Sequence, residues 1–87
     1  MSAVLVDTGF LVALFRPSDR LRTAAREFLR DNVHQLATVS AVIVETCFFL
    51  DPEGKSRLLE WIDRGALSVA DLPVSAYADI RGLILRY

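Results

Sequence analysis

Cysteine is almost absent from this sequence. Cys47 stands alone, so no disulfide can form within the chain. No apolar run reaches the ~20 residues that a membrane-spanning helix needs, because Asp7, Arg16, Glu45 and Asp51 interrupt the candidates. The amino-terminal stretch is apolar, but it has no cationic lead and carries Asp7 in its middle, which makes a poor secretory leader. These absences together point to a reducing cytoplasm and to no membrane partner. Histidine is as scarce as cysteine, and a lone His34 beside a lone thiol excludes a structural zinc site. Lysine is nearly missing too: nine of the ten basic residues are arginine, whose planar fork of donors matches phosphate or carboxylate at two points. Repeats, low-complexity tracts and flexible linkers are also lacking.

What remains is a chain of 87 residues, 53% apolar and with a net charge of −1. The apolar content excludes disorder, and the length allows a single domain that buries about two-thirds of its unfolded surface. Ala3 to Val6 is a short run with two β-branched residues, as expected of a strand buried on both faces of a parallel sheet. Phe10 to Phe15 follows as a short buried helix stopped before Pro17. Ser18 is placed to cap a helix over Asp19 to Asn32, with Leu21, Ala24, Ala25, Phe28 and Leu29 on one face. Leu36 to Val39 is a second strand. Ser40 is placed to cap a helix from Ala41 to about Leu50, and Asp51-Pro52 opens another that Gly65 closes. Its buried stripe is Leu58, Leu59 and Ile62. Leu67 to Val69 is a third strand, and Ser75 opens a last helix with Ile80, Leu83, Ile84 and Tyr87 on one face. Strands alternating with helices predict an α/β fold built as three layers, α/β/α, around a short parallel sheet of three strands.

Two acids stand in unusual company. Asp7 is the only charged side chain before Arg16, and Glu45 the only one between His34 and Asp51. Inside core-like stretches an ionised carboxylate costs several kcal/mol unless it is paired or binds a metal. Asp7 lies at the carboxyl end of the first strand, where open α/β sheets bind their ligands. Glu45 lies in the second turn of the helix after the second strand, and helical side chains lean back toward that same rim. A Mg²⁺ or Mn²⁺ ion would relieve their repulsion and take their oxygens as ligands, with Thr8 placed to hydrogen-bond the site. A structural alternative stays open here: Asp7 caps the helix behind it, and Glu45 pairs with an arginine.

The stretch Val4-Leu5-Val6-Asp7-Thr8-Gly9-Phe10-Leu11 resembles the opening of PIN domains, where a hydrophobic strand delivers a metal-binding aspartate followed by Thr or Ser. Leu36-Ala37-Thr38-Val39-Ser40-Ala41-Val42-Ile43-Val44-Glu45 resembles the second motif of that family, and Gly65-Ala66-Leu67-Ser68-Val69 its entry to the third strand. The likeness is to PIN-domain ribonucleases of the VapC toxin type and spans the chain in order, as one partial domain over residues 1–87. It implies RNA cleavage with a divalent cation, Asp7 and Glu45 as metal ligands, Thr8 as a helper, a homodimer, and an antitoxin protein as partner. The family also supplies a third acid and two further strands after the last helix. Asp71 and Asp79 do not stand in a matching context, so the chain is expected to lack part of its catalytic set. The rival expectation is an inactive PIN remnant that binds an antitoxin or dimerises. In the family the first strand is central, and without its neighbour Val4 to Val6 would form an edge that seeks a partner.

Smaller signals weigh less. Arg22, Arg26 and Arg30 stand at i, i+4 and i+8, a row that either meets an anionic partner or forms a solvated face moderated by Asp19, Glu27 and Asp31. Asp19 has the look of a capping residue, Trp61 of a core or dimer contact, and Cys47 of a small buried hydrophobe. Aspartyl-phosphate chemistry at Asp7 is set aside, because Gly9 stands where a second aspartate would be required.

Overall fold

A computed structural model describes residues 3–71 and Arg81 of the chain. The elements run β1 (Ala3–Leu5), α1 (Thr8–Phe15), α2 (Arg22–Asp31), β2 (Gln35–Val39), α3 (Ser40–Cys47), α4 (Pro52–Asp63) and β3 (Leu67–Ala70). The strands pair in parallel in the order β1-β2-β3, with Val4 opposite Leu36 and Leu36 opposite Leu67. Parallel neighbours need crossover connections, and the helix pairs α1–α2 and α3–α4 supply them. The α/β class expected from the sequence is the class observed.

Local chemistry explains most of the boundaries. Arg16 ends α1 in an extended conformation, φ −110° and ψ 105°, the region to which a following proline confines its predecessor. Asp51 caps α4 by accepting the Gly54 N–H at 2.7 Å, with Pro52 in the first turn. Gly65 closes α4 at φ 81°; its N–H donates to the Ile62 carbonyl and that of Ala66 to Trp61, both at 3.0 Å. This pair of bonds is the Schellman arrangement, which favours a residue without a Cβ at the left-handed position.

The core gathers Val6, Leu11, Leu36, Leu50, Leu58 and Leu67. Register puts Val4, Val6, Leu36 and Leu67 on one face of the sheet, and the helices cover it. Leu5 points to the other face and is 79% exposed, so the expectation of a first strand buried on both sides is corrected. Strand β1 is an edge among the described residues.

Other boundaries shift for physical reasons. Helix α2 starts at Arg22 and Ser18 does not cap it. The Asp19 carboxylate instead accepts the Leu21 N–H at 2.8 Å, and turns closed by Asp19 N–H to Arg16 and Arg22 N–H to Asp19 use the backbone groups that an earlier helix would need. Ser40 begins α3 rather than capping it. The helix ends at Cys47, after which Phe48, Phe49 and Leu50 donate three residues back. Leu59 faces solvent at 54% exposure while Leu58 is fully buried, because adjacent helical positions diverge by 100°. On α2 only Ala25 of the expected stripe is fully buried, and Leu21 and Phe28 remain partly open. The helix expected from Ser75, with Ile80, Leu83, Ile84 and Tyr87, lies outside the described residues, as does Asp79.

Glycine at position 54 has a tertiary reason. A Cβ there would stand 2.9 Å from the Phe15 carbonyl oxygen and 3.2 Å from Asp51 Oδ1. The first turn of α4 thus lies directly against the end of α1. Gly54→Ala should lower stability in urea titration by about 1–3 kcal/mol from overpacking, in spite of the ~1 kcal/mol that alanine ordinarily gains over glycine inside a helix. A variant as stable as the parent would show that the two helices separate freely.

Candidate metal centre

The end of β1 is fixed by two hydrogen bonds to β2. The Val6 N–H donates to the Ala37 carbonyl at 2.9 Å, and the Thr38 hydroxyl donates to the Val6 carbonyl at 2.9 Å. Thr38 is 2% exposed, so its hydroxyl satisfies a carbonyl that the sheet would otherwise leave buried and unpaired. Sequence reasoning overlooked this residue. The available signal was a hydroxyl amid the buried positions of a strand, which demands an acceptor.

From this anchored point the chain leaves as Asp7, extended at φ −107° and ψ 179°. Its Oδ1 accepts the Phe10 N–H at 3.0 Å, which makes Asp7 the cap of α1. Oδ2 has no partner among the described residues, and a carboxylate has lone pairs beyond the one that the cap uses. Thr8, half-buried, is the first residue of α1. The capping alternative therefore describes one oxygen of Asp7 and leaves the other available.

Glu45 sits on α3, which leaves β2 at the same carboxyl edge of the sheet from which Asp7 leaves β1. It is exposed. The ion pairs among the described residues are Arg30–Asp31, Arg57–Glu53 and Arg64–Glu60, so no arginine takes Glu45. Helices α1 and α3 pack together. Asp7 and Val42 line one cleft of about 820 Å³ beside β1, and Glu45 follows Val42 by three residues, on the same flank of α3.

One premise needs correction. Both acids are exposed, so burial cost does not drive them toward a cation; their shared edge and unengaged oxygens are what qualify them. Among the described residues no three His, Cys, Asp or Glu side chains converge as a metal-binding group. The donor chemistry suits a hard divalent ion, which can take one or two carboxylates and fill its remaining positions with water and substrate oxygens.

The other candidates turn out structural. The Arg22 guanidinium donates to the Leu14 carbonyl at 3.3 Å and Arg30 pairs with Asp31, so two of the three arginines in the α2 row are engaged within the fold. Trp61 packs edge-to-face on Phe15, their centroids 5.3 Å apart, as a core partner. Cys47 is half-buried against the core, and His34 lies in a turn that Asn32 bridges.

Three substitutions test the anchoring of the strand end and the cap. Thr38→Val should cost about 1–3 kcal/mol in thermal or urea unfolding, because the Val6 carbonyl loses its buried donor; an unchanged midpoint would refute that role. Asp7→Ala should cost about 1 kcal/mol through loss of the cap while Asp7→Asn stays near the parent, since asparagine caps as well as aspartate. Equal losses in both would contradict capping by Oδ1.

No curated protein matches the chain. No helix among the described residues is long and apolar enough to cross a membrane. The PIN domain family matches over residues 4–87, nearly the whole chain. With a parallel sheet and four helices among the described residues, and an aspartate at the exit of the first strand, the chain belongs to the PIN domain family.

Proposed function

We propose that this PIN domain acts as a divalent-metal-dependent endoribonuclease, with Asp7 and Glu45 as ligands of a Mg²⁺ or Mn²⁺ ion. The family is of nuclease type, and the reading rests on one observation. Two exposed carboxylates, neither consumed by an ion pair among the described residues, sit on elements that leave the same edge of the sheet. When bound, such an ion supplies charge stabilisation to a phosphodiester and acidifies a water.

The chain's own residues prepare the site. The Phe10 N–H fixes the Asp7 carboxylate through Oδ1 and turns Oδ2 over to ligation. Glu45 brings a carboxylate that no cation neutralises among the described residues. Thr8 offers a hydroxyl at the start of α1, where the helix N-terminus also favours an anionic phosphate. The biological role that fits is a toxin of a toxin–antitoxin pair in the cytoplasm, held by an antitoxin protein and working as a homodimer. The apolar cleft beside β1, an edge strand among the described residues, suits a protein partner.

A second reading has a specific observation in its favour. Because no group of three acids converges among the described residues, the chain would then be an inactive PIN module that binds an antitoxin or a second copy.

Incubation of purified protein with RNA, with Mg²⁺ or Mn²⁺ and then with chelator, tests the first reading. Cleavage should require the metal and fall at least about 100-fold in Asp7→Asn and in Glu45→Gln, since a ligated ion contributes several kcal/mol to the transition state. Cleavage that persists in chelator or in both variants would sink it. Loss of activity in the parent, with a partner still bound, would favour the inactive module.

A further inference from the structure

Beyond the carboxylates, α3 carries an aromatic feature that the metal site does not use. Phe48 and Phe49 are 82% and 52% exposed. After Cys47 the chain keeps a tightened helical path, with the Phe49 N–H donating to Thr46 at 3.0 Å. Phe49 therefore lies in the turn that follows α3, four residues after Glu45.

Phe49 is also one wall of a cleft of about 400 Å³, with Phe15, Arg16 and Asp51 among the others. The ring of Phe15 is held in place by Trp61. Arg16 is exposed, at the end of α1, and its guanidinium has no ion pair among the described residues. Asp51 gives Oδ1 to the Gly54 N–H and keeps Oδ2 able to accept from the amino group of a base. An open aromatic face, an unpaired guanidinium and an acceptor in one cleft match an unstacked nucleotide, with a ring for the base and a cation for its phosphate.

We propose that the Phe49–Arg16 cleft is a nucleotide subsite, in which Phe49 stacks on an unpaired base of the substrate and Arg16 meets its phosphate. This rests on the nuclease reading for the identity of the substrate and adds the residues that would hold one unstacked nucleotide of it. In a duplex the bases are stacked on one another and present no free face to Phe49. A second copy of the chain fits the cleft less well. A stable protein interface buries about 800 Å² on each side, whereas this is a small concave site lined by charge. The apolar ridge suited to such a contact, Val44 and Phe48, lies at a different angle on the helix.

The test measures fluorescence anisotropy of labelled RNA with the full chain in the Asp7→Asn form and no divalent metal. The probes are a single-stranded oligomer, a duplex of equal length and an oligomer with abasic positions. Phe49→Leu should weaken binding of the single strand about tenfold and leave the abasic probe unchanged, while Phe49→Trp should retain affinity. Arg16→Gln should weaken binding and reduce the slope of log affinity against log salt by about one. Thermal melts establish that each variant is folded. Equal affinity of the Phe49→Leu and Phe49 forms for the single strand would overturn the subsite, and so would a duplex that binds as tightly as the single strand. Sedimentation showing that Phe49→Leu dissociates a dimer, with RNA affinity intact, would overturn it in favour of a second copy. Metal-dependent cleavage that ignores Phe49 sinks the subsite and spares the nuclease; Phe49-dependent binding by a parent that never cleaves does the reverse.

Discussion

The hydrogen bond from the Thr38 hydroxyl to the Val6 carbonyl is the constraint on which the candidate site rests. Strand β1 is only three residues long and has one hydrogen-bonded neighbour among the described residues. Main-chain pairing alone would let its last residue fray. By tying the exit of β1 to the carboxyl end of β2, Thr38 fixes where Asp7 emerges, and Asp7 in turn fixes where α1 begins. The order of cause runs from a buried hydroxyl to a strand end, then to a carboxylate, and last to a helix.

Helix α1 then organises the rest. It packs on α2, α3 and α4, and each contact has its own chemistry. Phe10 meets Phe28 edge-to-face at 5.6 Å, Arg22 reaches the Leu14 carbonyl, and the first turn of α4 rides against Phe15 across a missing side chain at Gly54. The two acids depend on this arrangement at different removes. Asp7 belongs to α1 itself, and Glu45 is carried by a neighbour whose position α1 sets. A nuclease site built this way would inherit its precision from helix packing rather than from burial of its ligands, since both carboxylates lie open to water.

Local signals were readable where local chemistry decides. The aspartate-proline pair at 51 and 52, the glycine at 65 and the proline at 17 each name a backbone conformation, and each boundary fell accordingly. The alternation of strands with helices gave the class for the same reason. Features set by distant residues were less legible. Nothing in Ala3 to Val6 shows that Leu5 would stand exposed on an edge strand of the described sheet. Asp19 drew its own backbone into a turn, and that local bond outcompeted the helix start expected at Ser18. Glycine 54 has the look of a flaw in a helix until the Phe15 carbonyl is seen beside it. Asp7 and Glu45 follow the strands as expected but are exposed rather than buried, because apolar neighbours in sequence do not bury a side chain that projects from the rim of a sheet.

The dual use of Asp7 carries a consequence for how such a chain can change over generations. One oxygen serves folding and the other is free for chemistry. If Asp7 also holds the proposed metal ion, a lineage released from that duty could not discard this side chain without weakening the helix on which α2, α3 and α4 pack. Asparagine offers the narrow way out: it keeps the shape and the acceptor and surrenders the charge. Silent descendants of this domain would then be recognised by an amide at the seventh position, in a scaffold otherwise left intact.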